Sequence, residues 1–292
     1  MKRHSAWRAR LLVLILLGAG LSMMGLIGST QAASVTPAPS RDLYSEATFL
    51  TAALTRFVYL PTLFKSDPCR ASTGETYGSL TVNDWESSPP AETHPDINLA
   101  VRGYTPTTDY FLGLIDLGSS WTETPTQLAG LFAPPRAPNI LANYQVYGWD
   151  WGCNCRIGPI SPPGDPEVSL IELAATAGEP VRLPDRPGGE ETLIGDEYKA
   201  LVLYAGDDRI TLKYTRDDHV IWGYTLHVEN VCVDSDLAAL YTTLNAAGRH
   251  SLPALRPGQA FGRARSNRVG VVTRDVGTFM DPRARNDWWR GY

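Results

Sequence analysis

The chain has 292 residues, 43% of them hydrophobic and 20% charged, with a formal net charge of -5 and four cysteines. That length is enough for one large core or two smaller ones. The acidic balance argues against a general nucleic-acid or anionic-membrane binder, and neither a Gly-x-Ser-x-Gly elbow nor a Gly-x-x-x-x-Gly-Lys phosphate loop is present, so serine-hydrolase and nucleotide chemistry lack support.

Residues 1–33 combine Lys2, Arg3, Arg8 and Arg10, an apolar run over 11–27, and the small residues Ala32 and Ala33. This order predicts a secretory signal and an extracytoplasmic mature chain, with an uncleaved membrane anchor as the competing reading. Residues 34–66 have linker composition followed by a short segment, in which 44–56 could form a helix and 57–60 looks extended. Turn formers dominate from 67 to 95. Probable strands follow at 99–104, 110–117 and 143–147.

The proline-rich stretch 159–166 is the best candidate boundary, dividing an N-terminal β module at 67–165 from a β domain at 166–292. Beyond it, short runs rich in Val, Ile, Leu, Thr and Tyr recur at 168–173, 179–183, 200–204, 209–214 and 223–231, separated by Gly, Asp and Pro. They predict a mostly β fold, a sandwich or barrel. One helix interrupts them: Asp234 can cap its start, Leu237, Leu240, Tyr241 and Leu244 repeat at helical spacing, and Gly248 closes it.

Four pieces of this region carry a resemblance by their order: Gly178-Glu179-Pro180-Val181, Gly223-Tyr224-Thr225-Leu226-His227, Arg256-Pro257-Gly258-Gln259-Ala260-Phe261-Gly262, and 271–282 ending in Asp281-Pro282. Together they resemble the lysostaphin-type peptidoglycan endopeptidases, whose β architecture is the duplicated hybrid motif. The match covers 167–282. In that family a His-x-His strand and an earlier His and Asp hold zinc, whereas here Val269, Gly270, Val271, Val272 and Thr273 stand where the strand's histidines belong. His227 matches a histidine that assists catalysis without ligating metal. The resemblance therefore implies a degenerate, non-catalytic relative without a metal or other cofactor, a binding or structural protein of the cell envelope that takes a cell-wall glycan or peptide.

In an oxidising compartment Cys69, Cys153, Cys155 and Cys232 should form disulfides. A bond between Cys153 and Cys155, one residue apart, looks strained, so Cys69 is expected to pair with one of them and Cys232 with the other; a four-cysteine zinc site is the alternative. Trp149 and Trp151 bracket Asp150 and would share a face of an extended segment, where paired rings and a carboxylate could hold a sugar or peptide; the plainer reading packs one ring on a disulfide. His227 with Glu229, two residues on, is the candidate acid–base pair. His219 could join His227 and an acid in a metal site. Asp116, Asp150, Glu197 and Glu229 supply carboxylates for a glycosidase pair, the other route to an active hydrolase. Trp288 and Trp289 read as aromatics docking the C-terminal tail, and the arginine-rich tail from Arg263 to Arg290 as a mixed-charge surface.

Overall fold

The computed structural model describes residues 67–83, 90–117, 126–160, 165–185 and 193–292. The expected signal, linker and N-terminal helix lie outside them. Among the described residues no helix is long and apolar enough to cross a membrane. The fold is mostly β, as expected, and forms no closed barrel.

In chain order the strands are β1 (Gly78–Thr81), β2 (Tyr104–Pro106), β3 (Ile140–Asp150), β4 (Cys155–Pro159), β5 (Leu170–Ala174), β6 (Pro180–Arg182), β7 (Ala200–Ala205), β8 (Arg209–Lys213), β9 (Tyr224–Glu229), β10 (Val231–Val233), β11 (Ser251–Leu255), β12 (Ala260–Ala264), β13 (Arg268–Asp275) and β14 (Thr278–Met280). The helices are α1 (Leu99–Arg102), α2 (Ser235–Ala246) and α3 (Arg285–Trp288). A large antiparallel sheet runs β1-β11-β7-β8-β9-β13-β5-β3-β2, with β14 on β13 and β4 on β3; β10-β12-β6 form a smaller sheet.

This order corrects the expected boundary near 165. β3 from one side of it pairs with β5 from the other, β1 pairs with β11, and residues 63–292 make one compact unit. The proline-rich stretch is a connection within a unit. Its prolines signal absence of regular pairing, which a connection and a domain boundary share.

The two faces of the large sheet differ in chemistry. Directly paired residues of antiparallel strands point to the same side. One side therefore carries the row Ile210, Val228, Val271, Ile171 and, beside it, Leu212 and Leu226. All six are at most 1% exposed and join one core with Val181, Val231 and Phe261 of the small sheet. Burying each such side chain stabilises by about 1.5–3 kcal/mol. The other side carries Arg209, Glu229, Gly270 and Glu172 in one row, Thr211, His227 and Val272 in the next, and Lys213, Thr225, Arg274 and Phe279 in the third.

An alternating strand ordinarily gives its polar side to water. Here the segment 94–102 covers it, and Thr211, Lys213, Thr225, His227, Glu229 and Arg274 are all buried. A small apolar cluster of Leu99, Val146, Ile160, Leu170, Val272 and Phe279 packs on that side.

Local sequence explains most elements. Asp234 caps α2 by accepting from the Asp236 amide at 3.0 Å, and the same carboxylate accepts from the Thr73 amide and hydroxyl at 2.7 Å. Residues 99–104, expected to be extended, instead form α1 and then enter β2. Asn98 accepts from the Ala100 amide, and Gly103, at φ 69, ends the turn where a side chain would be strained. Residues 110–117 form no strand; Ile115 makes an isolated bridge to Ala284.

The cysteines also depart from expectation: Cys69 bonds Cys232, and Cys153 bonds Cys155. Asp150 pairs with Cys155 across the hairpin of β3 and β4. Cys153 lies in the turn between them, which places the Cys153 and Cys155 Cα atoms 5.2 Å apart, within the span a disulfide bridges. The turn supplies the closeness that a uniformly extended segment would deny.

Candidate functional site

Among the described residues, cavities open on the charged side of the sheet. The first, of about 290 Å³, is lined by Tyr104, Leu170, Glu172, Asp208, Arg209, Glu229, Asn230, Ser266, Arg268 and Gly270. Its floor is the row Arg209, Glu229, Gly270, Glu172, and Gly270 is what keeps that floor open. A Cβ there would stand 3.0 Å from the Glu229 Cβ.

Charges alternate around this cavity. Arg209 makes two hydrogen bonds to the Asp208 carboxylate, through Nε at 2.8 Å and Nη2 at 3.1 Å, and turns Nη1 toward Glu229 Oε2 at 3.2 Å. Arg268 Nη1 donates to Glu172 Oε2 at 2.7 Å. Glu229 is 5% exposed, and burial pushes its carboxyl up to about 7 against the opposing pull of Arg209. Tyr104, 39% exposed, meets Tyr144 edge-on, with ring centroids 5.5 Å apart.

The expected pairing of His227 with Glu229 does not form, although both share a strand face. His227 is 1% exposed and lines neither cavity. Thr211 Oγ1 donates its one proton to the Ile97 carbonyl at 2.6 Å, so its 3.0 Å contact with His227 Nδ1 requires that nitrogen to donate. Nε2 is then a bare acceptor, and it has no hydrogen-bond partner among the described residues. Burial, assisted by the Arg274 charge, holds the ring well below the usual histidine range, so it is neutral. An enclosed neutral imidazole belongs to the interior between the sheet and segment 94–102.

Arg274 and Arg102 fill much of that interior. Their guanidiniums both donate to Asp96 Oδ1, at 2.9 and 2.6 Å, and both lie against the Phe279 ring, 4.3 and 5.5 Å from its centroid. Lys213, wholly buried, is pushed down to about 8 by desolvation; Nζ donates to the Gly223 carbonyl at 3.3 Å.

The second cavity, of about 440 Å³, is lined by Arg102, Trp149, Ile157, Ile160, Asp165, Arg274 and Phe279 among others. Trp149, Asp150 and Trp151 meet different partners. Trp149 lines this cavity, Asp150 Oδ1 accepts from the Gly152 amide at 2.7 Å, and Trp151, 54% exposed, meets His94 edge-on at 5.6 Å. β3 ends at Asp150, so the alternation that would align the two tryptophans stops between them.

The remaining candidates scatter. Asp116 pairs with Arg285 and Glu197 with Arg256, while Glu229 lines the first cavity. His219 Nδ1 accepts from the Ile221 amide at 3.2 Å. Among the described residues no three His, Cys, Asp or Glu side chains stand close enough to hold a metal. Trp288 and Trp289 are buried, Trp289 donating to the Pro282 carbonyl at 2.7 Å, which docks the tail on the core. The tail's arginines are largely occupied: Arg268, Arg274, Arg283 and Arg285 each face a carboxylate.

Sequence reasoning reached Glu229 and Trp149. It missed Glu172, Arg209, Arg268, Tyr104, Arg102, Asp96 and Asp165. For Glu172 a signal existed: it is the one charged residue of the apolar run Leu170–Ala174. Comparison with protein-family models, with curated proteins and with solved structures finds no match to this chain.

Proposed function

We propose that the protein is a non-catalytic binding protein of the cell envelope, and that a glycan seats in the cavity floored by Glu229, Gly270 and Glu172. The observation that carries this reading is the cavity's alternation of carboxylates and guanidiniums beside an exposed tyrosine ring. Vicinal hydroxyls both donate and accept, so they satisfy Glu172 and Arg268, or Glu229 and Arg209, in pairs. The Tyr104 face offers an apolar surface to the C–H side of a sugar ring. Gly270 supplies the room. Secretion through the basic and apolar N-terminus places the protein where wall polysaccharide is met, with membrane attachment only if that segment is retained.

The likeness of 167–282 to a lysostaphin-type domain supports a scaffold role. Val272 stands beside His227 in the register, where a coordinating strand would need imidazoles. A strand without such ligands offers no metal to bring a bound water to neutral pKa. A second reading has one observation in its favour: a carboxyl pushed up to about 7, opposite a carboxylate held by arginine, is the arrangement a glycosidase uses.

One experiment separates them. Purified full chain is incubated with insoluble wall polysaccharide and with soluble tetrasaccharides of glucose and of N-acetylglucosamine. The binding reading expects retention on the polysaccharide, loss of it in Glu172→Gln, and no new reducing ends. Release of reducing ends abolished by Glu229→Gln would establish the hydrolase, and neither retention nor release would leave a purely structural protein.

A further inference from the structure

The two disulfides differ in what they hold. Cys69–Cys232 joins positions 163 apart and ends in the small sheet, where Cys232 is 5% exposed and pairs with Arg263. Cys153–Cys155 joins positions only 2 apart. The stabilisation a crosslink gives grows with the length of chain it closes, so the first bond restrains the unfolded chain strongly and the second hardly at all. Holding the fold together does not account for Cys153 and Cys155.

Their position is open to a reagent. Residues 151–159 are all exposed, and β4 hangs on β3, off the main path of the sheet. The turn also keeps its shape by means other than the bond. Asp150 pairs with Cys155 in the strand register, Asp150 Oδ1 accepts from the Gly152 amide at 2.7 Å, and Asn154 takes φ 50, a left-handed conformation that asparagine adopts more readily than most residues. The Cys153 and Cys155 Cα atoms stand 5.2 Å apart, so two thiols released there stay within closing distance. The Asp150 carbonyl, 3.7 Å from Cys153 Sγ, is an acceptor for the thiol that reduction leaves. Oxidised and reduced forms therefore share one backbone.

We propose that Cys153 and Cys155 form a thiol–disulfide exchange site, separate from the glycan cavity, that oxidises a cysteine pair of a polypeptide. A substrate thiolate attacks one sulfur, the S–S bond breaks, and the other sulfur leaves as a thiolate; the substrate's second thiolate then attacks the mixed disulfide. Two electrons pass to this chain, whose two sulfurs take up the two protons that the substrate thiols gave up, and the substrate ends with one disulfide. Trp151 and Ile157, 54% and 50% exposed on the same hairpin, offer apolar surface that suits a polypeptide and that a small thiol has no use for.

The test mixes oxidised full chain, without oxygen or denaturant, with an excess of a synthetic peptide carrying two cysteines and a phenylalanine, and maps thiols by alkylation and mass spectrometry. One peptide disulfide should form per chain, with Cys153 and Cys155 alkylated and Cys69–Cys232 opening about tenfold more slowly or not at all. Cys153→Ser with Cys155→Ser should form no peptide disulfide and melt within a few degrees of the unaltered chain. Trp151→Ser should slow the peptide reaction several-fold and leave the reaction with dithiothreitol unchanged. Both disulfides opening at one rate, Cys153–Cys155 opening only in denaturant, a melting temperature lowered by about ten degrees or more in the paired serine variant, or a peptide reaction indifferent to Trp151→Ser would each overturn the proposal.

Discussion

The two sides of the large sheet are built from the same strands and spend their burial differently. Along β9, Tyr224, Leu226 and Val228 face an apolar core, while Thr225, His227 and Glu229 face a buried interior of guanidiniums, carboxylates and cavities. A core needs only apolar volume, and its loss is paid in packing. A buried charged face needs every partner in place, because each group left unpaired costs desolvation without return.

The largest effect should come from breaking the charged side. Asp96→Ala leaves Arg102 and Arg274 buried without their shared carboxylate, and should cost about 3–5 kcal/mol in chemical denaturation. Replacing Arg102, Arg274 and Asp96 together with apolar residues of similar size should recover much of that loss. If the single change is neutral, the charged face is more solvated than its burial implies.

The apolar side should respond more simply. Leu226→Ala removes a side chain 1% exposed and should cost about 2–5 kcal/mol, with no dependence on pH or salt. A pH-dependent loss would blur the distinction between the faces.

Titration sharpens it further. Glu229 holds its proton up to about 7 in the folded chain, above the ordinary carboxyl value of 4.5, so the native state binds more protons than the unfolded state between those limits. Stability should therefore fall as pH rises from about 4.5 to 7, by roughly 3 kcal/mol at most. Glu229→Gln should flatten that slope in urea midpoints measured across the interval. Lys213 has the opposite sign: held down to about 8 against an ordinary 10.5, it should let stability rise between those values, a rise that Lys213→Met removes.

The smallest effect on stability belongs to the cavity floor. Gly270→Ala places a methyl 3.0 Å from the Glu229 Cβ, and should change the melting temperature by only a few degrees while abolishing glycan retention.

How much of this was legible in the sequence follows from the range of the interactions. β8, β9 and β13 announced themselves by runs of β-branched and apolar residues, and α2 by Asp234 and the Leu237, Leu240, Leu244 spacing. β11 carries Pro253 and β4 begins at Cys155 and contains Gly158, residues that read as turns until a neighbouring strand overrides them. The sequence 99–104 looked extended because its residues are apolar, yet Asn98 and Gly103 flanked a helical turn. The site was harder. Glu229 could be singled out within its own strand, but Asp96 meets Arg274 across 178 positions, and no local pattern encodes that contact. Nor did the spacing of Cys153 and Cys155 show that a turn would fold one onto the other.

The most direct test of the glycan site is a titration of the ¹⁵N-labelled full chain with soluble glucose and N-acetylglucosamine tetrasaccharides, following the backbone amides of Gly270, Asn230 and Tyr104. The account predicts saturable shifts at these three positions with at least one of the sugars, lost in Glu172→Gln, while Leu226 and Val228 stay still. Amides at the cavity that do not move with either sugar, or shifts that persist unchanged in Glu172→Gln, would contradict it.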